Sequence, residues 1–184
     1  MTTRPLLFLD IETTGGSPHA SRITEIGALR VEGDEIVGTF SQLINPEEPI
    51  PSFITRLTGI DNDMVWQAPT FKAIAEELEQ FMDGALFIAH NVSFDFGFIK
   101  AEYARLGLAF GMDRMCTARL SRALYPDQPR HNLDTIIARH NIQVVNRHRA
   151  LDDARVLYEF YQIALRDHKL DVFRHMDKLT KKHR

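Results

Sequence analysis

A single cysteine, Cys116, stands in a chain of 184 residues. That rules out an internal disulfide and fits a reducing setting, so a cytoplasmic location is expected. Nothing approaches the ~18–20 consecutive apolar residues of a membrane-spanning helix, and no membrane role is expected. Met1 to Pro5 is a short polar lead without the layout of a signal peptide. Internal repeats and low-complexity tracts are lacking, as is any convincing linker before about residue 168. Also missing is an excess of basic charge, since the formal net charge is -3. A protein that coats nucleic acid through bulk electrostatics is usually basic. If this chain handles DNA or RNA, something local must offset the phosphate charge. Divalent cations held by a cluster of carboxylates would do so.

What remains is the composition of one globular domain, 44% apolar and 26% charged, with enough apolar residues to build a core. Pro5 to Glu12 reads as a buried strand stopped by Thr13-Thr14-Gly15-Gly16. Arg22 to Val31 and Ile36 to Ile44 read as two further strands joined by a turn at Glu32-Gly33-Asp34-Glu35, giving an antiparallel opening. Asn45 to Pro51 reads as loop. Thr70 is a candidate N-cap for a helix carrying Phe71, Ile74, Ala75, Leu78, Phe81 and Met82 at helical spacing. A short strand over 85–89 follows. Ser93 can cap a helix that ends at Gly107. A short strand near Arg114 to Cys116 leads into a helix through Leu124. Asn132 to His140 and Ala150 to Leu165 complete the pattern. Strands in a meander, then alternating helices and strands, predict an α/β domain with a mixed sheet.

Three places carry chemistry. Asp10 and Glu12 lie two apart on an otherwise apolar strand, so their side chains share one face. Adjacent carboxylates repel and are costly to bury. A hard cation such as Mg²⁺ gives a reason for the pair; a solvent-exposed strand end with two unrelated acids is the alternative. Asp95 falls in the first turn of the helix after the 85–89 strand, where either metal binding or the helix dipole accounts for it. His90 just before it either orients a substrate or is a satisfied strand-end histidine. His148 lies in the loop before the last helix, and Asp152 and Asp153 open that helix. Histidine titrates near neutrality and is the usual general base. Spacing does not separate Asp152 from Asp153 as the acid that matters. Hydrolysis of a phosphodiester needs an activated water and a stabilised leaving oxygen, and two metal ions roughly 3.5–4 Å apart provide both.

Phe8-Leu9-Asp10-Ile11-Glu12-Thr13-Thr14-Gly15, Ile23-Thr24-Glu25-Ile26-Gly27-Ala28, Thr58-Gly59-Ile60, His90-Asn91 with Phe94-Asp95, and His148 to Ala154 follow one another as the motifs of the DEDDh exonucleases do. The chain resembles that family from about Leu6 to Ile163. It is most similar to the proofreading epsilon subunit of bacterial DNA polymerase III and the exonuclease domain of the Gram-positive replicative polymerase. The resemblance implies a ribonuclease-H-like α/β fold, a five-stranded mixed sheet flanked by helices. It implies four acidic ligands, Asp10, Glu12, Asp95 and Asp153, for two divalent metal ions, Mg²⁺ or Mn²⁺. The five-residue step from His148 picks Asp153 over Asp152, and His148 becomes the general base. Thr13, Thr14, Phe53, Thr58, His90 and Asn91 fall where the family binds the terminal nucleotide, and Glu25 falls just behind the ligands. The implied activity is release of nucleoside 5′-monophosphates from nucleic acid 3′ ends, single-stranded DNA being favoured. RNA trimming on the same fold is the alternative, and a non-catalytic binding module a further one.

On this reading residues 1–166 form the exonuclease domain, and 167–184 a polar, basic tail or helical extension. Within the latter, Lys169-Leu170-Asp171-Val172-Phe173 is similar to the peptide by which bacterial replication proteins hold the sliding clamp, but Lys169 stands where glutamine is usual. A helical extension packing Leu170, Val172 and Phe173 into the domain is the favoured alternative to a clamp or polymerase contact. Lys181-Lys182-His183-Arg184 either help hold phosphates or form a solvated basic end.

Overall fold

The computed structural model describes residues 4–180; the basic stretch 181–184 lies outside the described residues. Five strands form one sheet: β1 (Leu6–Thr13), β2 (Ile23–Glu32), β3 (Glu35–Leu43), β4 (Leu86–Ala89) and β5 (Arg114–Cys116). Their spatial order is β3-β2-β1-β4-β5. The first three strands are antiparallel, and β4 and β5 join parallel to β1. The sheet is mixed because the opening meander needs only the loop 14–22 and a tight turn after Glu32, whereas β4 and β5 return through helical crossovers. Helices α3 (Phe71–Met82) and α4 (Ser93–Arg105) lie in those crossovers, and with α5 (Thr117–Leu124), α6 (Leu133–His140) and α7 (Ala150–Leu179), which follow β5, they cover the sheet. None of the described helices is long and apolar enough to cross a membrane.

Strand β1 shows how the layers form. Leu7, Leu9 and Ile11 point to one face and pack with Ile74, Leu78, Phe96 and Ile99 of α3 and α4. Leu6 and Phe8 point to the other and pack with Val156, Leu157 and Phe160 of α7. Asp10 and Glu12 continue this second row, on the α7 side, after the apolar positions end. The strand is thus apolar on both faces for half its length and acidic on one face for the rest.

Two features go beyond the elements read from the sequence. Residues 52–66, between the loop and α3, contain two short helices, α1 (Ser52–Thr58) and α2 (Asn62–Trp66). They close around the small apolar cluster Ile50, Ile54, Ile60 and Val65. Helix α7 also does not stop at Leu165. It continues to Leu179 across a kink at His168, whose φ and ψ are -138° and 36°. Beyond the kink Val172 and Met176 are buried in the α7-side core and Phe173 packs against it, while Leu170 is 80% exposed. The apolar residues of 169–173 are therefore mostly consumed inside the domain, with Leu170 the exception. At two helix starts the caps are local in position only. Thr70 precedes α3 without a side-chain cap bond, and Ser93 is the first residue of α4 rather than its cap.

Candidate active site

Three elements deliver four acids to one open cleft of about 410 Å³. Asp10 and Glu12 come from β1, Asp95 from the first turn of α4, and Asp153 from the first turn of α7. His90, Asn91 and His148 line the same cleft. Asn91 and His148 both adopt left-handed backbone conformations, φ 57° and 63°. Such turns are uncommon for residues other than glycine, and here they let the chain reverse beside the acids. Donor atoms of Glu12, His148 and Asp153 lie within 4.8 Å of one another. Asp153, not Asp152, is the acid of α7 that lines the cleft.

The tip of α7 sits where it does because of Gly27 and Glu25. Gly27 is the register partner of Asp10 on β2. A Cβ there would lie 2.1 Å from the Leu151 backbone nitrogen, so only glycine permits this approach. Glu25 pairs in register with Glu12. Its buried carboxylate accepts two-pronged hydrogen bonds from Arg149 and one at 3.0 Å from the Ala150 N–H. Glu25 thereby does the work of an N-cap for α7, whose preceding residue Arg149 offers no side-chain cap.

The carboxylates are poorly compensated. Burial, then repulsion from Asp95, Asp153 and Glu12, holds the Asp10 carboxyl well above the usual range. Burial, then the Asp153 and Glu25 charges, pushes Glu12 up to about 8. Asp95 is also raised by burial, partly offset by backbone N–H groups of its own residue and Ile11. Burial lifts Asp153 to about 6 against the pull of Arg147. Arg147 donates to Asp153 Oδ2 and, at 2.8 Å, to Asp134. The other Asp153 oxygen, Oδ1, is buried with no hydrogen-bond partner. Burial and the neighbouring Arg147 lower the His148 pKa, which keeps the ring neutral near pH 7. Burial takes His90 down to about 4. Its Nδ1 lies 2.9 Å from the Thr117 hydroxyl, and its buried Nε2 has no partner.

The remaining expected site residues lie outside the acid cleft. Thr13 and Thr14 are buried; their hydroxyls donate to the Gly15 carbonyl and to Glu48. Thr58 is buried, donating to the Ile54 carbonyl and accepting from the Ile60 N–H. Phe53 is 58% exposed on α1. Arg147, Asn132 and Asp134 line the cleft without having been read from the sequence. Only the neighbourhood of Arg147 to His148 could have signalled them.

A mixed five-stranded sheet in this order, with acids gathered at the ends of its central strands, defines a ribonuclease-H-like nuclease fold. Solved structures agree at the level of fold. The nuclease domain of 3′hExo, described as a DEDDh family member bound to rAMP, superposes with a TM-score of 0.78 at 21% identity over 91% of this chain and 94% of that one. Exonuclease X in complex with 5′ overhanging duplex DNA gives 0.71 at 24%, over 89% and 93%. The family model RNase_T, described as Exonuclease, matches residues 7–161. DNA polymerase III PolC-type of Caldanaerobacter subterraneus subsp. tengcongensis is 41% identical over 155 residues, 84% of this chain but 11% of that protein. The 3′-5′ exonuclease DinG of Bacillus subtilis is 39% identical over 158 residues, 85% of this chain and 17% of that one. This chain belongs to the RNase_T exonuclease family. It spans less than a fifth of the length of the curated relatives it matches.

Proposed function

We propose that this domain removes nucleoside 5′-monophosphates one at a time from DNA 3′ ends, in proofreading or repair. The observation that carries this reading is the convergence of four carboxylates and a neutral histidine in one open cleft, with Arg147 the one cation paired to them among the described residues. The names of the relatives at 41% and 39% identity favour DNA.

The donor set fits hard divalent cations. It is all oxygen apart from histidine, its carboxyl pKa values are raised by burial first and, for Asp10 and Glu12, by their acidic neighbours next, and Asp153 Oδ1 is buried and unpartnered. Asp10, Glu12 and Asp153 would hold one Mg²⁺ or Mn²⁺, and Asp10 with Asp95 a second. Bound there, the ions would supply Lewis-acid polarisation and offset charge at the phosphate. His148 takes the proton of the attacking water on its imidazole, which its lowered pKa leaves unprotonated. The water oxygen bonds to phosphorus, the P–O3′ bond breaks, and the shortened strand keeps a 3′-hydroxyl. Phe53, exposed on α1, offers a ring to the terminal base, and Asn91 and His90 border the sugar-phosphate. Thr13, Thr14 and Thr58 have committed hydroxyls, so they shape the nucleotide path through their backbone.

The test is a 3′-end degradation assay on 5′-labelled single-stranded DNA and RNA with Mg²⁺, Mn²⁺ or EDTA, alongside Asp10→Ala. Metal-dependent laddering of DNA, absent in Asp10→Ala, is expected. A preference for RNA would transfer the reading to an RNA-trimming enzyme. No cleavage of either by folded protein would leave a binding module.

A further inference from the structure

A second cavity, of about 240 Å³, opens on the far side of Asn91 from the acids. Asn91 lines both spaces. This one is basic. Arg114 at the start of β5 and Arg119 and Arg122, one turn apart on α5, all face it, with Ser93 of α4 at its edge. Six other arginines, Arg4, Arg22, Arg30, Arg105, Arg147 and Arg149, each meet a carboxylate, while Arg56 and Arg139 spend their donors on hydroxyl or carbonyl oxygens. Among the described residues Arg114, Arg119 and Arg122 are in no ion pair, although the chain carries an acidic excess. The Arg114 guanidinium is seated 4.1 Å from the centroid of the Phe96 ring, and its Nε is buried without a hydrogen-bond partner. Three uncompensated guanidinium groups around a cavity next to a phosphodiester-cleaving cleft have a defined chemical complement, because arginine's planar fork matches phosphate oxygens.

We infer that this cavity is a phosphate subsite that holds a backbone phosphodiester of the substrate strand on the 5′ side of the bond being cut. The inference rests on the nuclease reading of the neighbouring cleft and extends it. The strand enters with its 3′ terminus at the acids, and an upstream phosphate docks on Arg114, Arg119 and Arg122. The subsite supplies the local positive charge that the net charge of -3 does not. It reads no base sequence, since phosphate contacts position a strand without specifying it.

The experiment compares wild type with the Arg119→Gln/Arg122→Gln double variant, and with Arg155→Gln, an exposed arginine of α7 outside the cavity. Single-stranded DNA from a dinucleotide to about ten nucleotides is the substrate, and KM and kcat are measured at several salt concentrations. Fluorescence anisotropy of the labelled ten-nucleotide strand in EDTA gives binding without turnover. Wild type and Arg155→Gln should show KM falling as the strand lengthens. In the double variant that gain should collapse, with roughly tenfold or weaker binding of the long strand and a salt slope shallower by about 1. An unchanged length dependence together with unchanged anisotropy would overturn the subsite and leave the arginines as a solvated face. Absence of turnover in wild type would instead overturn the nuclease reading, and the anisotropy comparison would then decide the subsite alone.

Discussion

Two acidic settings lie close together in this domain and are treated in opposite ways. Glu102 on α4 is 2% exposed and fully answered: Arg22 grips it at 2.9 and 3.0 Å, Arg105 at 3.2 Å, and the Ile23 N–H points at it. In the cleft, Asp10, Glu12, Asp95 and Asp153 have one arginine, Arg147, beside them, and it is bonded to Asp153. Where the fold buries an acid for its own architecture, it brings the countercharge with it. In the cleft it gathers acids and leaves most of the charge to be met from outside. That contrast, more than the presence of acids, separates a site from a scaffold.

The largest test of the contrast is Asp10→Asn. Loss of at least about 10³-fold in nuclease rate is expected if the acid cluster organises the chemistry. The same change should raise the melting temperature in EDTA, because it removes one member of a repelling set. A variant both inactive and less stable would break the comparison. His148→Gln should cost roughly 10²–10⁴-fold in rate. It should also remove the acid limb of the wild-type pH–rate profile, which is expected below pH 6.5 because burial and Arg147 lower that histidine's pKa. Glu102→Ala should do the reverse of Asp10→Asn. Breaking a buried ion pair costs about 3 kcal/mol, read by urea denaturation, while cleavage survives at temperatures where the protein stays folded.

A smaller effect sharpens the picture through pH. Raised carboxyl pKa values mean that the folded chain holds protons the unfolded chain has released. Glu12 sits at about 8 against an ordinary 4.5, and Asp153 at about 6 against 3.8. Their contribution to stability is therefore full at low pH and lost as pH rises through this window. In EDTA the melting temperature should fall by several degrees between pH 5 and pH 8. Saturating Mg²⁺ should flatten or reverse the slope, because the cation takes the place of the protons. An EDTA profile that rises with pH would show that the acids are already compensated.

Much of this was legible in the chain, for identifiable reasons. Asp10 and Glu12 stand out because two acids at strand spacing interrupt an apolar run, and the same period predicts that they share a face with Leu6 and Phe8. Helix α3 and the start of α7 were readable because their apolar residues recur at helical spacing. The short helices α1 and α2 were not, since five to seven residues hold too little periodicity to rise above loop. The far half of α7 was legible in part: a helical extension packing Val172 and Phe173 into the domain was expected, but Leu170 is exposed and Met176, a single apolar position in a charged run, gave no signal. Arg147 was invisible because a long flexible side chain finds its partners through the fold. The arginine cavity depends on β4 and β5 pairing in parallel, which sets the segment after β4, with Asn91, and the segment after β5, with Arg119 and Arg122, around one cavity. No window of sequence contains both.

Gly27 has a consequence for how the domain can change. The tip of α7 rests backbone against backbone on β2, so the reach from Asp153 to Asp10 is gauged by contact between main chains rather than by side-chain packing. The remote half of the helix, beyond the bend at His168, can then be remodelled around Val172 and Met176 without retuning the distance between the two acids. Attachment to a larger protein could act on that far half freely, while the chemistry at the near end keeps its dimensions.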